Sequence, residues 1–349
     1  MPHSVRRAAR AARRASTTDA DGVAPHMTIG PVIAKRYRIK REIGSGGMGV
    51  VWLAHDDHLG RDVALKTMNT PPGLTQDQRA RDAERFRREA RAAARLDHTG
   101  IATVYDLGEE RGTRFLVMQY VTGIDLEDRI AEQERLSIEE AASIGVQIAS
   151  VLGSVHARDV VHRDLKGRNV IIRTDGVVKV LDFGVAALLE PGTAKLTTTG
   201  ERPGSLECMA PEQILGKPVD HRTDLYALGA LLHKMLTGEP VFEHRSELML
   251  PGLILDHPPI PLRDLRPDTP SDLEALVLEL LSKAPSDRPD HAGEVWRRLA
   301  AWLPERGDPA AALTPWAEVD PLRPFRHPMG PDARPVRSWA RPAQPGLAD

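Results

Sequence analysis

Two short stretches of this 349-residue chain concentrate groups able to do chemistry. His162-Arg163-Asp164-Leu165-Lys166-Gly167-Arg168-Asn169 is followed by the apolar run Val170-Ile171-Ile172 and then by Val180-Leu181-Asp182-Phe183-Gly184. A carboxylate, a lysine, an amide and a second carboxylate thus fall in two short loops bounded by β-like runs. Upstream, Gly44-Ser45-Gly46-Gly47-Met48-Gly49 forms a G-x-G-x-x-G pattern, and Val63-Ala64-Leu65-Lys66 puts one lysine at the end of an apolar strand. Glycine lets a backbone approach phosphate oxygens with no Cβ in the way. An ammonium group just after such a glycine hairpin projects beneath it onto bound phosphate.

Context decides what the glycines do, because G-x-G-x-x-G alone is shared by unrelated nucleotide sites. A dinucleotide fingerprint must open a helix. Here Val50-Val51-Trp52-Leu53-Ala54 continues as a strand, so the glycines form a hairpin tip, and no Gly-Lys-Ser or Gly-Lys-Thr closes the segment as a P-loop requires. A lone lysine among hydrophobes is usually a snorkelling edge residue; following the hairpin, Lys66 instead reads as a phosphate ligand. It needs an acidic partner. Glu89 on the following helix is the candidate, beside the buried stripe of Phe86, Ala90 and Ala93, with Glu84 as the alternative.

The elements that position these groups are legible in outline. Apolar and polar residues alternate from Tyr37 to Met68, with turns at the glycine cluster and at Leu59-Gly60, which predicts a three-stranded antiparallel meander. Gln78 to Leu96 has helical spacing with a solvated face, and Ile101–Leu107 and Arg114–Tyr120 read as further strands. Helical spacing returns over Ile138–His156, Thr223–Leu236 and Ser271–Leu281. The fold class is α+β: a small antiparallel β-sheet lobe with one main helix over 35–121, then a larger, mostly helical lobe over 122–302.

With Ala210-Pro211-Glu212 downstream, H-R-D-L-K-x-x-N and D-F-G resemble the signature set of the protein kinases, specifically the eukaryotic-like serine/threonine kinases of bacteria. Glycine hairpin, strand lysine and these three motifs arrive in the family's order, at family-like spacing, which chance does not produce. The resemblance implies a bilobal protein-kinase-like fold and an ATP-dependent enzyme transferring the γ-phosphoryl group to protein Ser or Thr. It gives Asp164 the task of accepting the hydroxyl proton and orienting the acceptor, and Lys166 that of neutralising the transferred group. Asn169 and Asp182 are implied ligands of Mg2+, with Mn2+ as an alternative. Lys66, held by Glu89, would bind the α- and β-phosphates. The nucleotide would lie against Ile43, Gly44, Ser45, Gly46, Gly47, Met48, Gly49 and Val50, with adenine between Val51 and Ala64 above and Ile171 below. Met118 would guard the back, and backbone from Gln119 to Val121 would bond the adenine edge.

Further implications concern support and regulation. Asp224 would brace the catalytic loop, and Glu212 and Arg288 would form a structural ion pair. Lys166, two residues after Asp164, matches the serine/threonine branch. Arg163 would receive a phosphate on Thr197, Thr198 or Thr199 after autophosphorylation, with a transient dimer as one route in trans. The chain departs from the family pattern at several positions. Gln119 replaces a common acidic residue, Gly167-Arg168 replaces a proline-containing pair and suggests a looser catalytic loop, and Ser205 replaces a threonine. Cys208 takes a position that is usually aromatic, beside the pocket for the residue after the acceptor, so substrate preference is not readable from the motifs.

Bulk properties bound the alternatives. With 41% hydrophobic and 28% charged residues the composition is that of a soluble globular protein, and a net charge of −2 offers no case for nucleic acid as partner. One cysteine permits no intrachain disulfide or multi-cysteine zinc site, which fits the cytoplasm. No run reaches the roughly 18 to 20 apolar residues of an integral span, and no apolar run follows the N-terminal arginines as in a secretory leader. Residues 1–34 read as a disordered basic tail, with Met27 a second candidate start, and 303–349 as a disordered proline-rich tail. Protein substrates are the expected partners. The rival reading is a pseudokinase-like nucleotide-binding scaffold, against which stand Lys66, Asp164, Asn169 and Asp182, all retained. A nicotinamide oxidoreductase fails for want of a βαβ series.

Overall fold

In a computed structural model, residues 31–46, 49–68, 75–183, 206–243 and 247–303 are described, apart from the side chains of 77–79, 82, 85, 89 and 247. The first part is a six-stranded antiparallel sheet of order β1-β2-β3-β4-β6-β5. Its strands are β1 (Val32–Ile33), β2 (Tyr37–Gly46), β3 (Gly49–Asp56), β4 (Arg61–Met68), β5 (Val104–Glu110) and β6 (Thr113–Gln119). The expected meander is β2-β3-β4. Ile33 pairs with Tyr37, so order begins before the expected boundary at residue 35. Helix α1 (Gln76–Ala94) crosses between β4 and β5.

The period-2 alternation of the strands sorts side chains onto two faces. On one, Tyr37, Ile39, Ala54, Val63, Leu65, Phe115 and Val117 form a core. On the other, Ala64, Leu116 and Met118 pack against Phe86 and Ala90 of α1. The strand expected over Ile101–Leu107 begins instead at Val104. Ile101 bridges to Val180, and both Leu96 and Ile101 belong to the core of the larger lobe. The apolar run was real, but part of it serves the neighbouring lobe.

That lobe begins with β7 (Ile124–Asp125), α2 (Leu126–Gln133) and α3 (Ile138–His156), then the small sheet β7-β8-β9 formed with β8 (Val170–Ile172) and β9 (Val178–Val180). Helices α4 (Pro211–Ile214), α5 (His221–Thr237), α6 (Leu250–Asp256), α7 (Leu262–Leu265), α8 (Ser271–Leu280) and α9 (Ala292–Leu299) follow. Ser137 and Asp220 cap α3 and α5 by accepting amides of the first turn, and Gly238 ends α5 in the left-handed region. Among the described residues only α3 is long and apolar enough to cross a bilayer; most of it is buried in this core, where a central helix is necessarily apolar. Leu303 also packs on the core. The expectations for 1–30 and 304–349 lie outside the described residues.

Candidate active site

Sheet register assembles the small-lobe half. Directly paired residues share a face; Val51 pairs with Lys66 and Ala64 with Met118. Ile43 and Val51 pack against the cluster containing Ala64 and Met118. Lys66 is 5% exposed, so its ammonium is withdrawn from bulk water. In that hairpin Ser45 pairs with Val50, and the Thr67 hydroxyl donates to the Val50 carbonyl at 3.1 Å. Gly49 has φ 144°, and an added Cβ would collide with the Thr67 carbonyl; at Gly46 it would meet nothing within 4 Å. Of these two glycines the fold demands Gly49 alone, and an open backbone at Gly46 leaves room for a ligand. Gly47 and Met48 lie outside the described residues.

The segment joining the lobes closes the apolar slot. Gln119 N–H donates to the Thr103 carbonyl at 2.8 Å, whereas Val121, itself buried, makes no backbone hydrogen bond to another described residue. That leaves backbone groups for the edge of a planar ligand. Ile171, half-buried on β8, pairs with Asp125 and Lys179.

Antiparallel pairing of β8 with β9 brings the two polar loops together. Asn169 precedes β8 and Asp182 follows β9, and the Leu181 N–H donates to the Asn169 carbonyl at 2.8 Å. Asp164 is enclosed by donors: Lys166 Nζ lies 3.0 Å from Oδ1, and Asn169 Nδ2 donates to Oδ2 at 3.1 Å and to the Asp164 carbonyl at 2.7 Å. His162 is fully buried, bonds the Leu181 carbonyl through Nε2 at 2.8 Å, and meets the Phe183 ring edge-on at 4.7 Å. Across the cleft, Lys66 Nζ donates to Asp182 Oδ2 at 2.7 Å. Burial works to raise the Asp182 carboxyl, but the charge and hydrogen bond of Lys66 outweigh it and hold the group below the usual carboxylate range.

Two site residues sit in the left-handed region, Arg163 at φ 67° and Asp182 at φ 62°. Such conformations cost about 1–3 kcal/mol and persist where surroundings over-determine them. Asp224, 1% exposed on α5, supplies that constraint for Arg163. Its carboxylate accepts the His162 N–H at 2.8 Å and the Arg163 N–H at 2.9 Å, and His156 Nε2 bonds it at 2.8 Å. Gln213 on α4 donates to the Arg163 carbonyl at 2.8 Å. Arg288 forks onto both oxygens of Glu212 at 2.8 Å, and the Thr223 hydroxyl donates to the same carboxylate at 2.7 Å.

The donor set suits a hard divalent cation. Asn169 and Asp182 engage described residues through Nδ2 and Oδ2 respectively, which leaves an oxygen on each. Among the described residues no group of three His, Cys, Asp or Glu is poised to hold a metal. Magnesium fits such a sparse set, since it is held by one or two protein oxygens together with phosphates and water.

Lys66, Asp164, Lys166, Asn169 and Asp182 are thus brought together. The Glu89 side chain lies outside the described residues; the alternative, Glu84, is 71% exposed and faces Arg87 at 3.7 Å. Thr197–Thr199, Gly184 and Ser205 also lie outside them. The expected looseness at Gly167-Arg168 is corrected. A Cβ at Gly167 would meet the Glu127 carboxylate, and Arg168 is tied to Asp125 and Asp128 at 2.6 and 2.8 Å, so this pair anchors the loop to α2. Cys208 is buried, and burial first of all pushes its thiol far up. His156 and Gln213 escaped the sequence reading; only their place near motifs hinted at them.

Two lobes, a cleft lysine and paired polar loops define a phosphoryl-transfer fold, and the profile of the protein kinase domain matches residues 37–297. The chain belongs to the protein kinase family. It is 39% identical over 272 residues to a probable serine/threonine-protein kinase of Corynebacterium efficiens, covering 76% of this chain and 41% of that protein. Serine/threonine-protein kinase PrkC of Bacillus subtilis is 37% identical over 272 residues, 77% of this chain and 41% of its own length. PknA of Mycobacterium tuberculosis is 36% identical over 292 residues, 82% and 66% respectively. The chain thus spans about two fifths of the first two relatives. The family uses ATP with a divalent cation and acts on proteins.

Proposed function

We propose that this chain is an ATP-dependent serine/threonine protein kinase whose catalytic unit runs over 35–302. The observation that carries the reading is the convergence of Lys66 and Asp182 across the cleft with Asp164, Lys166 and Asn169 on adjoining loops. In this reading Ile43, Val51, Ala64, Met118 and Ile171 enclose adenine, and the Gln119–Val121 backbone bonds its edge. Gly44, Ser45, Gly46, Gly49 and Val50 cover the phosphates, and Lys66 holds the α- and β-phosphates, steadied by Glu89. Asn169 and Asp182 hold Mg2+, which neutralises charge on the phosphate oxygens when bound.

Asp164 orients a Ser or Thr hydroxyl in line with the γ-phosphorus and takes its proton as the new O–P bond forms and ADP leaves. Lys166, fixed on Asp164, offsets charge on the moving group. Arg163 pairs with no carboxylate among the described residues, and this supports capture of a phosphate placed on Thr197, Thr198 or Thr199 by a second copy of the chain. A lone buried cysteine accords with a cytoplasmic setting. The test is radiolabelled phosphate transfer from ATP and magnesium to Ser- and Thr-bearing protein, comparing wild type with Asp164→Asn and Lys66→Met. Both variants should lose transfer; equal incorporation in all three would reject the assignments.

A further inference from the structure

The Asp164 carboxylate hangs from the peptide unit it shares with Arg163, so the two backbone dihedrals of Arg163 aim it. Both are clamped. Asp224 Oδ1 takes the Arg163 N–H at 2.9 Å and holds the peptide plane before that residue. The plane after it is held by Gln213 Nε2, 2.8 Å from the Arg163 carbonyl, and by His162 Nδ1, 3.2 Å from the Asp164 amide. Peptide units are rigid, so fixing the plane on each side fixes φ and ψ of a residue kept in the left-handed region at φ 67°. Of the two clamps on the second plane, only Gln213 comes from outside the loop.

The other end of the same amide holds a different segment. Gln213 Oε1 accepts the Ala210 N–H at 3.1 Å, the reach-back of a first-turn residue to the N-cap of α4. Ala210 is fully buried and ends residues 206–210, within which Cys208 is buried as well. For capping alone glutamate would serve equally, and its charge would suit a helix N-terminus better. Ionised glutamate, however, has no hydrogen to offer the Arg163 carbonyl. A backbone N–H only donates and a carbonyl only accepts, so this position calls for an amide and fixes which way it faces.

We propose that Gln213 is a positioning residue for phosphoryl transfer, tying the aim of the Asp164 carboxylate to the placement of residues 206–210. This deepens the kinase reading above and rests on it. The full chain is compared as wild type, Gln213→Glu and Gln213→Met. Four quantities are read: single-turnover transfer from ATP and magnesium to a Ser- and Thr-bearing protein, Kd for a non-hydrolysable ATP analogue, thermal midpoint, and hydrogen exchange over 162–164. Gln213→Glu keeps the cap and loses only the donor. Its transfer rate should fall about 10- to 100-fold, as when a reacting group is slightly misplaced, with the analogue Kd within about twofold, the midpoint nearly unchanged and exchange over 162–164 faster. Gln213→Met loses the cap too, and should add a drop of a few degrees in midpoint to the same loss of rate. Wild-type transfer by Gln213→Glu, unchanged exchange over 162–164, or a loss of rate that comes only with weaker analogue binding and a collapsed midpoint overturns the assignment and leaves the kinase reading standing. No transfer by the wild type overturns both.

Discussion

Lys66 of the small lobe and Asp182 of the large lobe, 116 positions apart in sequence, meet at 2.7 Å. Each supplies what the other's burial requires: a counter-charge. With Lys66→Met, burial acts on Asp182 against only the smaller effects of His162 and Lys166, and its carboxyl rises. Phosphate transfer should fall about 10²–10³-fold, the usual loss when one preorganised electrostatic group is removed. Thermal unfolding should shift by only a few degrees, because Asp182 keeps access to water. A large loss of stability with transfer intact would contradict this pairing.

Asp224→Ala should be costlier than its distance from the substrate suggests. It strips the acceptor from the His162 and Arg163 amides, and Arg163 loses what holds it in the left-handed region. We expect about 3 kcal/mol less stability in urea titration, with weak transfer, and an intermediate loss for Asp224→Asn, which keeps one acceptor.

Glu212→Gln tests the buried pair with Arg288. Loss of the pair should remove about 3–5 kcal/mol at pH 7. Burial raises the Glu212 carboxyl, but the bonds from Arg288 and Thr223 prevail and hold it below its ordinary value. A depressed folded pKa contributes stability above the unfolded value, roughly 4.3, which is lost as pH falls through the folded one. The gap between wild type and variant in denaturant midpoint should therefore narrow only in acid; a gap constant down to the acid limit would deny the coupling.

Gly49→Ala and Gly46→Ala should separate folding from ligand approach. The first forces a Cβ against the Thr67 carbonyl at a φ that L residues avoid, and should cost about 1–3 kcal/mol. The second meets open space and should leave unfolding nearly unchanged. A rise in the KM for ATP at Gly46→Ala would then report the approach of phosphate itself.

Cys208 should resist alkylation in the native state. Its thiol is buried and stays protonated at mildly basic pH, so iodoacetamide should modify it only after denaturation, as read by intact mass.

The strand lysine, the two polar loops and the meander were legible because each is a local property: residue type within a few positions, or alternation with period two. Lys66 reads as a phosphate ligand because its apolar strand, Val63-Ala64-Leu65, follows the glycine hairpin within a few positions. Boundaries were less legible where one apolar run serves two cores. Ile101 has the composition of a strand residue of the small sheet, yet it bridges to Val180.

Residue chemistry and order along the chain were enough to name the family and the groups it uses. Partnerships were not, because they join residues far apart: His156 with Asp224 at a separation of 68, Gln213 with Arg163 at 50, Lys234 with Glu127 at 107. Arg168 illustrates the difference. Its type is plain in the sequence, but packing of α2 against the 3-10 turn sets Asp125 and Asp128 against it. A side chain's charge is written locally, whereas the field it meets is assembled only when distant segments pack.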